Sequence, residues 1–382
     1  MTSDTEPELA TDTELELATD TEPELARDDR AGPPPLTERL LASATGTLEL
    51  FGVYLGDRLG LYDALHRLGP MTEAELAEAA GIAPRYAREW LEQQTGAAVL
   101  AVDDPSLPAE ARRYDLPEEH VGVVADPTSM DYLAPFGRMM VGVARVLDEV
   151  AAAYRTGGGV PYAAYGAEFR SGQGAINRPA FTTSLVQDWI PAAATLTERL
   201  EAGGSLVDVG CGQGWSSMAV AAAFPTARVW GIDADCASID EARELATSRG
   251  VDVRFLAADA AELADHGPFD GALILETLHD LARPVELLSA VRRSLAPGGC
   301  VLIADEAVAE SFTGPGDELE RMMYGWSIVH CLPASMAESP SAAIGTVIRP
   351  STVEALAREA GFGVCQVLDV DGGFFRIYRL AV

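Results

Sequence analysis

The feature that most restricts this chain is a series of short apolar stretches in its second half, each ending in a polar or glycine-rich turn. SLVDVG (205–210), ARVWGID (227–233), VDVRFLAAD (251–259), FDGALILE (269–276) and CVLIAD (300–305) are separated by helical patterns. Such runs are too uniformly apolar for strands with one wet face. They need cover on both sides, and strand–helix alternation supplies it, so the pattern predicts an α/β fold around a parallel sheet. Helices are expected at about 215–224, behind residue 233, up to about 295 after the fourth strand, and near 351–360, with APGG (296–299) turning into the fifth strand. The last two stretches, VCQVLDV (364–370) and FFRIYRLAV (374–382), flank Asp371-Gly372-Gly373, and the Asp-Gly turn predicts an antiparallel hairpin.

The first turn reads Asp208-Val209-Gly210-Cys211-Gly212-Gln213-Gly214. A dinucleotide fingerprint spaces its glycines G-x-G-x-x-G to cradle a pyrophosphate. Here the spacing is G-x-G-x-G, and the ligand need not carry phosphate. Glycines at 210, 212 and 214 let backbone N–H groups approach an amino-acid carboxylate, with Asp208 placed to meet its ammonium. Asp233 ends the second strand, where a carboxylate accepts hydrogen bonds from both ribose hydroxyls, with Ala234 beside it. Asp259 ends the third, where it can accept from an adenine amino group while the Ala260 N–H reaches the ring. Glycine turn, ribose acid and adenine acid on three successive strand ends form a specific constellation.

The first half has a different organisation. DTEPELAT, DTELELAT and DTEPELAR (4–27) repeat an acidic octapeptide, and Pro33-Pro34-Pro35 ends it. Residues 1–35 therefore read as a solvated disordered tail, with partner binding as the alternative. Residues 36–125 open with an amphipathic helical pattern to about 68. Thr72 and Glu75 then make a capping box, with Leu76, Ala79 and Ala80 on one face; Gly81 stops that helix, and Pro84 opens a second carrying Tyr86, Trp90 and Leu91. Two short helices around a glycine turn, then a β-like stretch, predict a winged helix-turn-helix. Its second helix has only Arg85 and Arg88, offset by Glu89 and Glu92, so dimerisation or roofing a neighbouring site is favoured over DNA binding. Residues 126–200 read as a helical linker and pocket region, broken by GGGVPYAAYG (157–166), a hinge or ligand-covering loop in which Tyr162 and Tyr165 are candidates for substrate contact. Residues 201–382 form the α/β domain.

Charge bounds the partners. Asp and Glu number 59 against 27 Lys plus Arg, a net charge of −32, which disfavours nucleic acid and anionic membrane. All the basic residues are arginine, so a lysine nucleophile is excluded. Five scattered cysteines without C-x-x-C spacing, no signal-like h-region and no apolar run near 18 residues lead to the expectation of a cytoplasmic protein without structural zinc.

These motifs resemble the class I S-adenosylmethionine-dependent methyltransferases. VDVGCGQG is similar to their first motif, GID to the ribose motif, AAD to the adenine motif, and FDGALILETLHDLARP with APGG to the fourth and sixth. The front half resembles an actinobacterial subgroup with an N-terminal winged helix. The resemblance implies a Rossmann-like seven-stranded sheet with a mainly helical winged-helix domain before it. It also implies S-adenosyl-L-methionine as cofactor, held by Asp208, Gly210, Gly212, Gly214, Asp233, Ala234, Asp259, Ala260 and Glu276, and a homodimer acting on a small-molecule acceptor, of secondary metabolism, at oxygen or nitrogen. A base assists if the acceptor is a hydroxyl or protonated amine. His279, in the ETLHD run leaving the fourth strand, is the first candidate, and His330, in WSIVHCLP, is the second. Asp305 and Glu306 are expected to line or cap the pocket, with no metal assigned. The apolar insertion 307–350, including Trp326, is expected to cover the acceptor. The rival readings are non-transfer chemistry on the same cofactor, or a winged-helix regulator.

Overall fold

The computed structural model describes residues 1, 34–259, 263 and 266–382. The octapeptide tail and Ala260 lie outside the described residues. The chain divides after Thr45. In order along it come α1 (Leu36–Arg58), α2 (Leu61–Leu68), α3 (Glu73–Ala80), α4 (Pro84–Gly96), β1 (Ala101–Val102), β2 (Tyr114–Asp115), α5 (Glu118–Val124), α6 (Pro135–Arg145), α7 (Leu147–Thr156), α8 (Gly166–Thr182), α9 (Ile190–Ala192) and α10 (Ala194–Glu201). The single helical pattern expected up to residue 68 splits at Gly60, whose φ of 68° is left-handed. The Thr72–Glu75 capping box forms as expected. Ala77, not Ala79, joins Leu76 in the core, because α3 turns that face toward Trp90 and Leu91. The β1–β2 pair is the wing.

The α/β part continues β3 (Ser205–Val209), α11 (Trp215–Ala223), β4 (Arg228–Asp233), α12 (Cys236–Arg249), β5 (Arg254–Ala257), β6 (Phe269–Leu275), α13 (Pro284–Ser294), β7 (Leu295–Glu306), α14 (Glu318–Trp326), α15 (Leu332–Ser335), α16 (Pro350–Glu359), β8 (Val364–Val367) and β9 (Phe375–Ala381). Among the described residues its sheet has seven strands in the order β5-β4-β3-β6-β7-β9-β8. β3 to β7 run parallel, while β9 is antiparallel to both β7 and β8, so the terminal hairpin is as expected. Two strand bounds differ. β5 is shorter than the 251–259 reading, and β7 begins at Leu295, taking in the APGG turn as an irregularity between its Phe269 and Gly271 pairings.

Alternation across the sheet explains the continuous apolar runs. Val207, Ile274 and Val301 point into one core, and Leu206, Leu273 and Leu302 into the other. With both faces covered, the ends of the parallel strands and the turns after them are left to receive a ligand. Leu273 is fully buried on the central strand β6. Replacing it by Ala should cost about 3 kcal/mol in stability, seen as an earlier urea-unfolding midpoint at unchanged slope.

Candidate active site

A cavity of about 770 Å³ opens at the C-terminal ends of β3, β4 and β6. Its floor is the glycine turn. Gly210, Gly212 and Gly214 have φ of 73°, 52° and 75°, values that only glycine adopts without strain. A Cβ on Gly210 would run into Thr277, and one on Gly214 into Phe255. Gly212 has nothing within 4 Å of where its Cβ would stand, which leaves its outer face open toward the cavity it lines. Its N–H donates to Asp233 Oδ2 at 2.8 Å, and the Asp235 N–H donates to Asp233 Oδ1 at 2.8 Å. Burial raises the Asp233 carboxyl above its usual range, against those two hydrogen bonds. Each oxygen keeps acceptor capacity toward the cavity.

Asp208 is placed differently from its expected role. It is 1% exposed and absent from the cavity wall. Its Oδ2 accepts from the hydroxyls of Ser216 at 2.5 Å and Ser217 at 2.6 Å, and burial pushes its carboxyl up to about 6. It braces the turn from beneath and anchors the start of α11. Gly214 is likewise a packing glycine outside the wall. Ala234, Asp259 and Glu276 do line the cavity. Asp259 lies 3.6 Å from Arg283, which also reaches Glu338 at 3.6 Å.

The expected acceptor residues separate into a wall and a backing layer. Tyr162 lines the cavity and donates to Gln173 Oε1 at 2.8 Å. Behind it, Tyr165, Phe169, Trp326 and His330 form an aromatic cluster; Tyr165 and Trp326 are not on the wall, because Tyr162 and α8 come between. His330 stacks on Phe169 with centroids 4.2 Å apart, and burial lowers its imidazole to about 4.

His279 belongs to a buried polar group just past β6. Its Nδ1 is 2.5 Å from Asp305 Oδ1 and 3.6 Å from Glu306 Oε2, and its Nε2 is 3.3 Å from Asp280 Oδ1. Burial opposes charge on the ring, but Glu306, Asp280 and Asp305 outweigh it and raise the imidazole well above its ordinary value. His279 is not on the wall; its neighbour Asp280 is, with Glu276 and Thr277.

Sequence reasoning assigned no role to Asp280, although it sits in the ETLHD run directly after His279. It also passed over Arg170, Gln173, Asn177 and Phe181, which line the opposite wall. Their spacing of three, four and four residues on α8 is the helical-face signal that marks them. Arg170 donates to Glu241 Oε1 at 2.7 Å, and Gln213 of the glycine turn donates to Glu241 Oε2 at 2.7 Å. α8 is thereby tied across the turn, and Gly174 makes the close approach to Gln213 possible.

Comparison with known proteins agrees with this geometry. Residues 206–299 match a methyltransferase domain model, and residues 47–125 match an Rv2258c-like winged HTH domain model. A ubiquinone biosynthesis O-methyltransferase of Pseudomonas syringae pv. tomato is 32% identical over 190 residues, 48% of this chain and 72% of the relative. A trans-aconitate 2-methyltransferase of Methylobacterium nodulans is 34% identical over 136 residues, 35% of this chain; the chain spans half of that relative's length. Human N-acetylserotonin methyltransferase, solved with S-adenosylmethionine, shares the fold at a TM-score of 0.63 and 19% identity, covering 92% of this chain and 99% of that one. The chain belongs to the class I S-adenosylmethionine-dependent methyltransferases and carries an N-terminal winged-helix domain. The cofactor of that family is S-adenosylmethionine, and the cleft has groups that fit it: an open glycine turn at Gly212, a carboxylate at the end of β4, Asp233, and a second carboxylate, Asp259, two residues past β5.

Asp233→Asn should weaken S-adenosylmethionine binding at least tenfold, and Gly210→Ala should do so through the clash with Thr277. Isothermal titration calorimetry on folded variants measures both; unchanged affinity in either would remove that residue from the site.

Proposed function

We propose that this protein transfers a methyl group from S-adenosylmethionine to an oxygen or nitrogen atom of a small, partly apolar acceptor, of the kind made in secondary metabolism, in the cytoplasm. The observation that carries the reading is the Asp305–His279–Asp280 line beside the cleft. Asp305 faces Nδ1 of the ring, and Asp280, on the wall, faces Nε2. Because those acids raise the ring well above its ordinary value, the imidazole holds its proton, and the acid–imidazole group as a whole, rather than the ring alone, accepts the acceptor's proton. The cofactor, when bound, supplies an electrophilic methyl group. The chain's own residues align the acceptor, exclude water and accept its proton. His330 is the weaker candidate: an imidazole lowered to about 4 is a poor base, and its place in the aromatic stack suits a wall behind Tyr162. The apolar side chains of Tyr162, Phe181 and Leu281 favour an acceptor with an apolar face.

Incubation with S-adenosylmethionine and a panel of phenols and amines should yield demethylated cofactor and a methylated product by mass spectrometry. His279→Asn should slow turnover about a hundredfold. Cofactor retained with no demethylated form across the panel would favour non-transfer chemistry.

The winged helix serves assembly in this reading rather than DNA. Arg85 pairs with Glu89, and Arg88 pairs with the buried Glu73, so α4 presents little net positive charge. On α1, Leu48 and Leu55 are exposed seven residues apart, and Leu59 follows just past the helix end, an apolar stripe that a second copy would cover. Light scattering after gel filtration should give twice the chain mass, and Leu48→Glu with Leu55→Glu should halve it; a monomeric wild type would refute the homodimer.

A further inference from the structure

Five titratable side chains gather where β6 and β7 end: Glu276, His279, Asp280, Asp305 and Glu306. The side chains of His279, Asp305 and Glu306 are each 3% exposed or less. Four acids face one imidazole. Among the described residues no arginine forms an ion pair with any of the four, and His279 is the cation within 4 Å of Asp280, Asp305 and Glu306. The other polar groups nearby do not neutralise them. On the segment after α14 are the neutral His330 and the thiol of Cys331; on β9 are the Tyr378 hydroxyl and Arg376, whose Nη1 donates to the Val308 carbonyl; beside α8 are the Tyr162 and Tyr165 hydroxyls. Four buried oxygens, Glu276 Oε1, Asp280 Oδ1, Asp305 Oδ2 and Glu306 Oε2, have no hydrogen-bond partner among the described residues.

Asp305 and Glu306 are buried, with Glu276 and Asp280 beside them on the wall, and so many close carboxylates around one imidazole are too costly to keep all ionised, so the group holds protons at neutral pH. Burial, and then the neighbouring acids, raise Glu276 well above the carboxylate range, and burial raises Glu306 to about 7. Glu276 and Asp280 are the members on the cavity wall, and the Glu276 φ of 54° is strained for a residue with a side chain. Thr277, the next residue, touches the glycine turn. The acid cluster and the cofactor floor are therefore contiguous.

We infer that this cluster distinguishes the charged cofactor from its demethylated product by giving up a proton when the cation binds. The inference rests on the reading that S-adenosylmethionine occupies the cleft. The two ligands share their amino acid, ribose and adenine and differ in one methyl group and one positive charge, that of the sulfonium. A unit charge about 6 Å from a carboxyl, at an effective dielectric of about 20, favours the ionised form about a hundredfold. The sulfonium expels a proton from the cluster to the buffer, and the neutral thioether does not. Protons exchanged at Asp208, beneath the turn, or at Asp233 cancel between the ligands, because the parts of the ligand near them are common to both. The vacated proton site also has a use in the reaction. The acceptor's O–H or N–H bond breaks, its proton fills the site, and its lone pair forms the bond to carbon as the carbon–sulfur bond breaks, leaving a neutral thioether beside a re-protonated cluster. The product then no longer has the charge that the deprotonated cluster binds.

The test is calorimetry of the full chain with S-adenosylmethionine and, separately, with S-adenosylhomocysteine at pH 7, in two buffers of different ionisation enthalpy. About one more proton should be released with the sulfonium ligand. By linkage, the affinity ratio of sulfonium to thioether should rise with pH between 6 and 8, by up to tenfold per unit. Glu276→Gln and Glu306→Gln should each shrink the difference in proton release, and with Glu306→Gln, which is off the cavity wall, S-adenosylhomocysteine affinity should stay within about threefold. Should either variant fold poorly, the wild-type comparison decides alone. Equal proton counts, proton uptake, or a ratio flat with pH would overturn the inference. Failure of both ligands to bind would instead overturn the cofactor reading beneath it.

Discussion

The pairing of β3 with β4 on one side and β6 on the other is the constraint on which the rest of the site depends. Because all three run parallel, their C-terminal ends lie at one edge, and the turn leaving each strand is placed by the ladder rather than by loop packing. The Gly210 N–H donates to the Ile232 carbonyl at 2.8 Å, extending the ladder into the glycine turn. From there the chain needs left-handed backbone at 210, 212 and 214. On the other flank, Thr277 fills the space that a side chain at Gly210 would occupy. The cofactor floor and the acid cluster thus share one wall, and neither can shift without the other.

Legibility followed the range of the interactions. Strands and the glycine turn depend on local patterns of apolarity and special φ, so five of the strands and the terminal hairpin were readable from residues alone. The bounds of β5 and β7 were not, because register, a property of two strands, decides where pairing starts and stops. The same division holds within the site. Asp233 was legible as an acid at the end of β4, while Asp259 falls two residues past β5 on the cavity wall. Asp208 has the same local signature, yet Ser216 and Ser217 on α11 claim its carboxylate, and nothing in the turn's own sequence reports that. Tyr165 and Trp326 were chosen for their chemistry, but whether an aromatic ring lines a cavity or backs another ring is set by tertiary packing.

The contribution of α8 was the least visible and is among the more consequential. Its polar residues at helical spacing look like a solvated face. In the fold they meet the glycine turn across the cavity, with Arg170 and Gln213 sharing Glu241. This brings a helix from outside the sheet to one wall of the cavity, beside the glycine turn.

The acidity of the chain has a different meaning at the surface than at the site. Outside, an excess of acids repels other polyanions and is well solvated. Inside, at the ends of β6 and β7, the same residue types are buried or line a cavity wall, and among the described residues no arginine pairs with them. Evolution of a structural core would remove such a group, because apolar side chains of similar volume are cheaper to bury. Its presence on the wall of a cleft that fits a cationic cofactor makes sense only if the unpaired charge is used. A single imidazole among four acids is a poor structural device, but it responds to one added positive charge by moving one proton, and that is what a proton-accepting site beside a sulfonium has to do.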